Sequence, residues 1–489
     1  MSRRKFIGYG LAAAGIGVAA LGAGELLLPG SATNTTSEAS TGSISSSNTI
    51  SDLPDYQDFL AWLSSVSGPY SGTTLNLTLE EEFTPLTLQL IDSDFASVAR
   101  TDDVYSIKPY SLQLSDVSLM FDTKSPTYDV FGVDNQNLGA FTTDSISPLE
   151  LAETYPEITY PGIDFADFNQ FVWDYVGTYP PDLALGAGGS TPAQVPVLPL
   201  DTPTMILYYR KDIYDELGLT PPQTWDELFA NDQAIQKSAI TPFACVSQAA
   251  PDIDVVYEFL NHLASFGATM WNIDGSTISP NLTDDAVVSA LENFVRFQPM
   301  ADPGSPTYTW DDVFNSLAHG LSASALLWND YQSWIDDPSR SIAAGKFGFQ
   351  RNPSGPSGSF STFGGAGVGV SKFSKNPEAA WLWLQWATAK GTEESMVLQQ
   401  YHVFPTRNSP LQAPAIASAL QSGAYEVTNI TKEIFQTGGL AALIGFPDWF
   451  DALQAIASNL NKAWGGGLTP AAALNAAQTQ IESLGTLTF

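Results

Sequence analysis

Two kinds of hydrophobic pattern alternate along the body of the chain, one of helical period and one of period two. Asp55–Ser65 puts Phe59, Leu60 and Leu63 on one face of a helix, and Thr73–Leu79 then alternates polar with apolar residues, which predicts a strand. The run Glu80-Glu81-Glu82-Phe83 reads as the loop at that strand's end, and Leu86, Leu90 and Phe95 predict a helix to about Val98. Strand, loop and helix recur at Tyr128–Val133 and again at Val195–Tyr209. Such alternation predicts an α/β architecture: doubly wound, mostly parallel sheets with helices on both faces and ligands beyond the carboxyl ends of the strands.

Helix starts are marked by side chains that satisfy free backbone N–H groups. Thr224-Trp225-Asp226-Glu227 spells a capping box, and Thr309-Trp310-Asp311-Asp312 is its look-alike. Asn376-Pro377-Glu378 predicts a third start, with Asn376 as cap. The segment after it (Ala380, Trp381, Trp383, Leu384, Ala387) is apolar over a broad face and belongs in a core. A last helix is predicted over Ala471–Leu484.

The N-terminus follows another logic. Ser2-Arg3-Arg4-Lys5-Phe6-Ile7 precedes an apolar run to about Gly24 that resumes at Leu26–Leu28. A charged start followed by an apolar stretch predicts a secretion signal over residues 1–28, of twin-arginine type, long enough to anchor in a bilayer if it is retained. Residues 29–52 are rich in Ser and Thr and read as a flexible, O-glycosylated tether. Acceptor triplets for N-glycosylation begin at Asn34, Asn76, Asn281 and Asn429. Together these place the body outside the cell, with membrane contact only through the N-terminal segment.

Length and charge narrow the classes. At 489 residues the chain is expected to form two domains. Its 19 Lys+Arg against 52 Asp+Glu give a net charge of −33, a field that repels phosphate backbones and excludes nucleic acid as partner. Only 15% of residues are charged, which fits life in acid, where carboxylates protonate and a small basic count limits the resulting positive charge; a merely acidic secreted protein is the alternative. The single Cys245 lies in an apolar stretch and reads as a buried thiol. His262, His319 and His402 are too scattered for a zinc site or a catalytic triad, so neither metal nor cofactor is expected.

Three blocks then become specific in their order. The first runs from Asp201 through Tyr208-Tyr209-Arg210-Lys211-Asp212 to Pro221-Pro222-Gln223-Thr224-Trp225-Asp226-Glu227. The second is Phe363-Gly364-Gly365-Ala366-Gly367-Val368-Gly369-Val370, continuing through Asn376-Pro377-Glu378 to Val403-Phe404-Pro405-Thr406-Arg407. The third spans Tyr128-Asp129-Val130 to Pro148-Leu149. From about residue 70 onward the chain resembles the family 1 extracellular solute-binding proteins of ABC transporters, which are maltose-binding-protein-like. The resemblance implies two α/β lobes joined by a hinge, with lobe 1 formed by 53–199 and 350–390 and lobe 2 by 200–349 and 391–489. It also implies a monomer that binds a sugar or oligosaccharide in the cleft between lobes and delivers it to permease subunits. The chain carries no GxxxxGK[ST] motif, so the ATPase is a separate subunit.

A sugar receptor needs flat aromatics for C–H faces, and carboxylates or amides for paired hydroxyls. Trp225, Trp381, Trp383 and Trp386 lie on predicted helices and read as core. Trp328, Asn329 and Asp330 follow the apolar run Ala323–Leu327, where the family supplies a stacking aromatic. Asp448 and Trp449 match its late aromatic loop, and Asp134 and Asn135 its hydroxyl-binding loop, although this chain has Asn-Gln where many relatives carry aromatics. Glu81, Glu82 and Phe83 stand at the first strand's end, and Asp201 stands at a crossover where it would hold either hinge or ligand. Gly364 and Gly365 permit a tight turn, or close approach of a ligand. Two rivals stay open. One is a secreted glycosidase using Glu81/Glu82 or Asp311/Asp312; the other is a receptor for iron or polyamine, for which Tyr208-Tyr209 is the only sign.

Overall fold

The computed structural model describes residues 53–180, 194–422 and 425–489. The expected signal and tether therefore lie outside the described residues. The predicted body elements form close to their expected bounds: helix Pro54–Val66, strand Thr74–Glu80, helix Phe83–Ala99 and strand Val130–Asp134. The acidic loop is shorter than its sequence suggests, because Glu80 still belongs to the strand and Phe83 already opens the helix.

Two sheets organise the chain. The first has the order Asp102–Lys108, Thr74–Glu80, Val130–Asp134, Ala366–Ser371, Ser145–Ile146, with Leu198–Asp201 also paired to Ala366–Ser371. The second has the order Phe347–Gln350, Met205–Arg210, Ser322–Trp328, Phe243–Cys245. Thr74–Glu80 is parallel to both its neighbours, whereas Ala366–Ser371 runs against Val130–Asp134, with Ala366 opposite Asp134. That reversal has a topological cause. A chain returning from the second sheet enters the first at the carboxyl ends of its parallel strands and can only run backwards along them. Met205–Arg210 repeats this in the other direction, entering with Met205 opposite Trp328 and running antiparallel to Ser322–Trp328. Both sheets are therefore mixed rather than mostly parallel. Every residue of Ser322–Trp328 and of Ala366–Ser371 is buried, as expected for strands covered on both faces.

The helices close as their sequences predict, with one exception. Thr224 Oγ1 accepts from Glu227 N at 3.2 Å while Glu227 accepts from Thr224 N at 3.3 Å, and Asp312 accepts from Thr309 N at 3.1 Å. Asn376 does not cap helix Pro377–Ala387; its amide turns to the Thr74 carbonyl and Asp129, both at 3.4 Å. That helix is buried all round, and Trp381, Trp383 and Trp386 are fully enclosed between it and the first sheet's helices. Cys245 is buried, as expected. Among the described residues no helix is long and apolar enough to cross a membrane.

The crossings fall later than expected. Phe347–Gln350 belongs to the second sheet, and Ser361–Phe363 pairs with Leu440–Ala442, so the return to the first sheet comes at Gly364-Gly365 rather than near 350. Helix Lys390–Leu398 then packs on helix Pro54–Val66, with Lys390 Nζ 2.7 Å from Asp55 and Gly391 so close that a Cβ there would meet the Tyr56 backbone at 2.2 Å. The last departure therefore lies beyond helix Pro414–Gln421 rather than near 390. Helix Glu426–Thr437 already packs on strand Phe347–Gln350, and Trp449–Trp464 packs on Ile253–Ser265.

Candidate functional site

Four strands end at the seam between the two halves, and each ends on a polar or aromatic residue: Glu80, Asp134 and Asp201 from the first sheet, Trp328 from the second. Strand carboxyl ends are where an α/β sheet leaves a crevice. Here the crevice is a narrow, partly open cavity of about 30 Å³. Of the residues singled out by sequence, Glu81, Glu82, Phe83, Asp134, Trp328, Asp330 and Gly364 line it.

The others take structural places beside it. Asn329 is buried, accepting from Thr204 N at 2.9 Å and donating to Thr431 at 3.1 Å, so it ties the crossing strand to helix Glu426–Thr437. Asn135 donates to the Leu443 carbonyl at 2.7 Å. Asp201 is buried and accepts from Thr84 Oγ1 at 2.7 Å and Thr202 N at 2.9 Å, which makes it a crossing residue that also faces Glu82. Trp449 is 1% exposed, edge-on to Phe446 at the start of its helix, with Asp448 just ahead of it; neither lines the cavity. Gly365 accepts from Asn135 N at 3.0 Å, and a Cβ on it would strike the Phe363 ring at 2.2 Å.

A tight turn or close approach of a ligand is what the sequence suggests for both glycines, and neither has a positive φ. Gly364 is small for another reason: a Cβ there would lie 2.9 Å from the Trp328 indole. The absent side chain lets the tip of the Trp328 ring approach the backbone. Gly364→Ala is accordingly expected to displace the indole and cost about 1–3 kcal/mol. The expected readouts are a lower melting temperature and a shifted tryptophan emission; unchanged values for both would refute the packing role.

Sequence reasoning missed Glu80, Pro203, Tyr257, Trp310 and Tyr331 as lining residues. Glu80 hides at the last strand position, and Tyr257 sits inside a helix, Ile253–Ser265, whose apolar pattern gave it no distinction. Trp310 was read only as part of a capping sequence; its ring approaches Tyr110 of the first half at 6.3 Å. Tyr331 joins Phe83 (5.2 Å) and Trp334 (5.6 Å) in an edge-to-face cluster that spans the seam. Tyr257 stands edge-on to Trp328 at 5.1 Å.

Electrostatically the cavity is one-sided. The Glu80 carboxyl lies beside Asp134 and the Glu82 carboxyl beside Asp201. Burial, reinforced by these neighbours, lifts Glu80 and Glu82 well above the usual carboxylate range. Burial raises Asp134 to about 7, although Gln136 donates to it at 2.9 Å. Asp330 is also pushed well up, by burial first and by Asp201 second. Of the two acidic pairs a glycosidase could use, Asp311/Asp312 is engaged, since Asp312 closes its helix cap and Asp311 accepts from the Tyr331 hydroxyl, whereas Glu81 and Glu82 line the cavity. The Tyr208 hydroxyl donates to the Trp328 carbonyl at 2.6 Å, a core contact rather than an iron ligand. A larger open groove of about 730 Å³ lies by Arg351 and Glu433, but those two pair with each other at 3.1 Å.

The fold is shared with solved proteins. A ribitol-bound ABC transporter solute-binding protein from Agrobacterium radiobacter K84 superposes with a TM-score of 0.72 at 21% identity, covering 85% of this chain and 99% of that one. Among curated relatives, a probable amino-acid ABC transporter periplasmic-binding protein of Sinorhizobium fredii is 25% identical over 240 residues, 48% of this chain and 53% of that protein. The erythritol/L-threitol-binding protein of Mycolicibacterium smegmatis is 23% identical over 244 residues, 48% of this chain and 49% of that protein. The chain thus matches about half the length of these curated relatives. The profile of the bacterial extracellular solute-binding protein family matches residues 111–394, more than half of the sequence. With two α/β halves and a crevice at their strand ends, the chain belongs to the bacterial extracellular solute-binding protein family.

Proposed function

We propose that the protein is the substrate-capturing subunit of an ABC importer, holding a sugar, oligosaccharide or polyol between its two halves and presenting it to permease subunits. The observation that carries this reading is the convergence of strand ends from both sheets on one cavity with aromatic walls and carboxyl edges. The ribitol-bound structural relative and the erythritol/L-threitol-binding relative support a polyhydroxylated guest.

Closure follows from the geometry. Glu80, Glu82 and Asp134 come from the first half, and Trp328, Asp330 and Tyr331 from the second, so a ligand gains its full set of contacts only when the halves meet. The crossings at Asp201–Met205 and Phe363–Ala366 are the proposed hinge. A micromolar affinity corresponds to about −8 kcal/mol, within reach of a few paired hydroxyl bonds and one or two stacking contacts. In this reading the chain is an exported monomer, kept at the cell surface by its N-terminal segment, with glycosylated tether and body, and it works in an acidic medium. It performs no catalysis.

Small-angle scattering and calorimetry with ribitol, erythritol, glucose and maltose test the reading. Ligand should reduce the radius of gyration and release heat for at least one of them. Identical profiles and no heat across the whole saccharide and polyol panel would end it.

A further inference from the structure

Five carboxyl residues line the cavity (Glu80, Glu81, Glu82, Asp134 and Asp330), and the lining contains no Lys, Arg or His. Basic groups that could balance them are engaged elsewhere: Lys108 with Asp116, Arg210 with Asp212, Lys390 with Asp55, Arg407 with Asp167. The acidic residues also do not form a metal cradle, since no group of three or more donors among the described residues is placed to hold a metal ion.

The remainder of the wall is aromatic apart from Pro203 and Gly364. Trp310, Trp328, Tyr257, Tyr331 and Phe83 present ring faces and edges to the same space. One polar atom there is left over: Asp330 Oδ1 is buried with no hydrogen-bond partner among the described residues. Once ionised, the carboxylates only accept, and an ammonium group only donates, so the two match. A buried set of acceptors with no counter-charge is costly until something positive joins it. Rings beside carboxylates are the usual surroundings of a bound ammonium group.

We propose that the ligand carries a positive charge: a protonated amine on a small hydroxylated frame, of the amino-sugar or amino-polyol class. The inference rests on the sugar-capture reading and adds a charge to its ligand. The amine nitrogen donates to the carboxyls of Asp330, Glu80, Glu82 and Asp134, with the rings of Trp328 and Tyr257 beside it. The carboxyls facing that nitrogen, with Asp311 nearby, are held partly protonated by burial and mutual repulsion. Tyr110 and Tyr257, also facing them, stay neutral. An arriving ammonium reverses the repulsion, so the carboxyls give up protons to solvent as the complex forms.

Calorimetry at pH 5.5 with D-glucosamine, D-glucose, N-acetyl-D-glucosamine, ribitol and putrescine is the test, run in two buffers of different ionisation heat. Glucosamine should bind at least tenfold more tightly than glucose or its N-acetyl form. Its heat should depend on the buffer as protons are released, and 0.5 M NaCl should weaken it. Asp330→Asn should lower the glucosamine-to-glucose affinity ratio by about tenfold. Equal or tighter binding of glucose, N-acetylglucosamine or ribitol overturns the charge proposal and leaves sugar capture standing. Binding of putrescine alone supports the charge and overturns the sugar frame. Silence from all five overturns the charge proposal, while the scattering panel decides the sugar reading separately.

Discussion

Raising the pH from 4 to 8 is expected to destabilise the protein by several kcal/mol, seen as a fall of about 5 °C in melting temperature. Burial raises Asp103 and Asp232 to about 8 and Asp134, Glu393 and Glu394 to about 7, and it lifts Glu258 and Asp254 well above their usual range. Unfolded carboxyls titrate near 4, so between about pH 4 and 8 the folded chain holds more protons than the unfolded one. Stability from these groups is complete below about pH 4 and is lost as the pH rises through their folded values. His262 acts in the opposite sense. Burial against Trp225 holds it at about 3, so it costs stability as the pH falls below about 6.5, but it is outnumbered. Asp232 isolates the effect: it is fully buried on helix Trp225–Ser238, with Ser324 donating to it at 3.0 Å and no cation beside it. Asp232→Asn keeps an acceptor without needing a proton and should recover part of the loss at pH 8 while changing little at pH 4. A melting temperature that holds steady or climbs from pH 4 to 8 would overturn this account.

Trp328→Ala should weaken ligand binding by about a hundredfold, roughly 3 kcal/mol, the loss typical of a central aromatic contact. Its indole packs between Gly364 and Tyr257 at the end of a buried strand and forms one wall of the cavity. The same change removes core volume and should lower stability by about 3–5 kcal/mol, so stability alone does not report on the site. Trp449→Ala provides the contrast. Trp449 is also buried but lies outside the cavity wall. It should cost comparable stability and leave the dissociation constant within about threefold, measured with whichever panel member binds most tightly. Equal losses of affinity in both variants would mean that neither ring touches the ligand.

These two tryptophans show how far the sequence could be read. Trp328 follows a strand-like apolar run and Trp449 a Gly-Phe-Pro turn, but neither signal says whether the ring faces the crevice or the core. The strand-and-helix order was legible because periodicity is a local property. So were the carboxyl-terminal positions of Glu81, Glu82, Phe83 and Asp134. Tyr257 and Trp310 were not legible, because what sets them apart is a neighbour across the seam, Trp328 for one and Tyr110 for the other. The crossings were misplaced for the same reason: Lys390–Leu398 has an ordinary helical sequence, and only its packing on Pro54–Val66 assigns it to the first half.

The placement of Glu80, Asp134, Asp201 and Trp328 as the last residues of their strands has an evolutionary corollary. The side chains that would choose a guest sit at the rim of two frameworks whose interiors are settled by other positions. Exchanging these few terminal residues would retune selectivity in small steps without re-solving how the chain folds. One scaffold could in this way radiate into collectors of quite different nutrients.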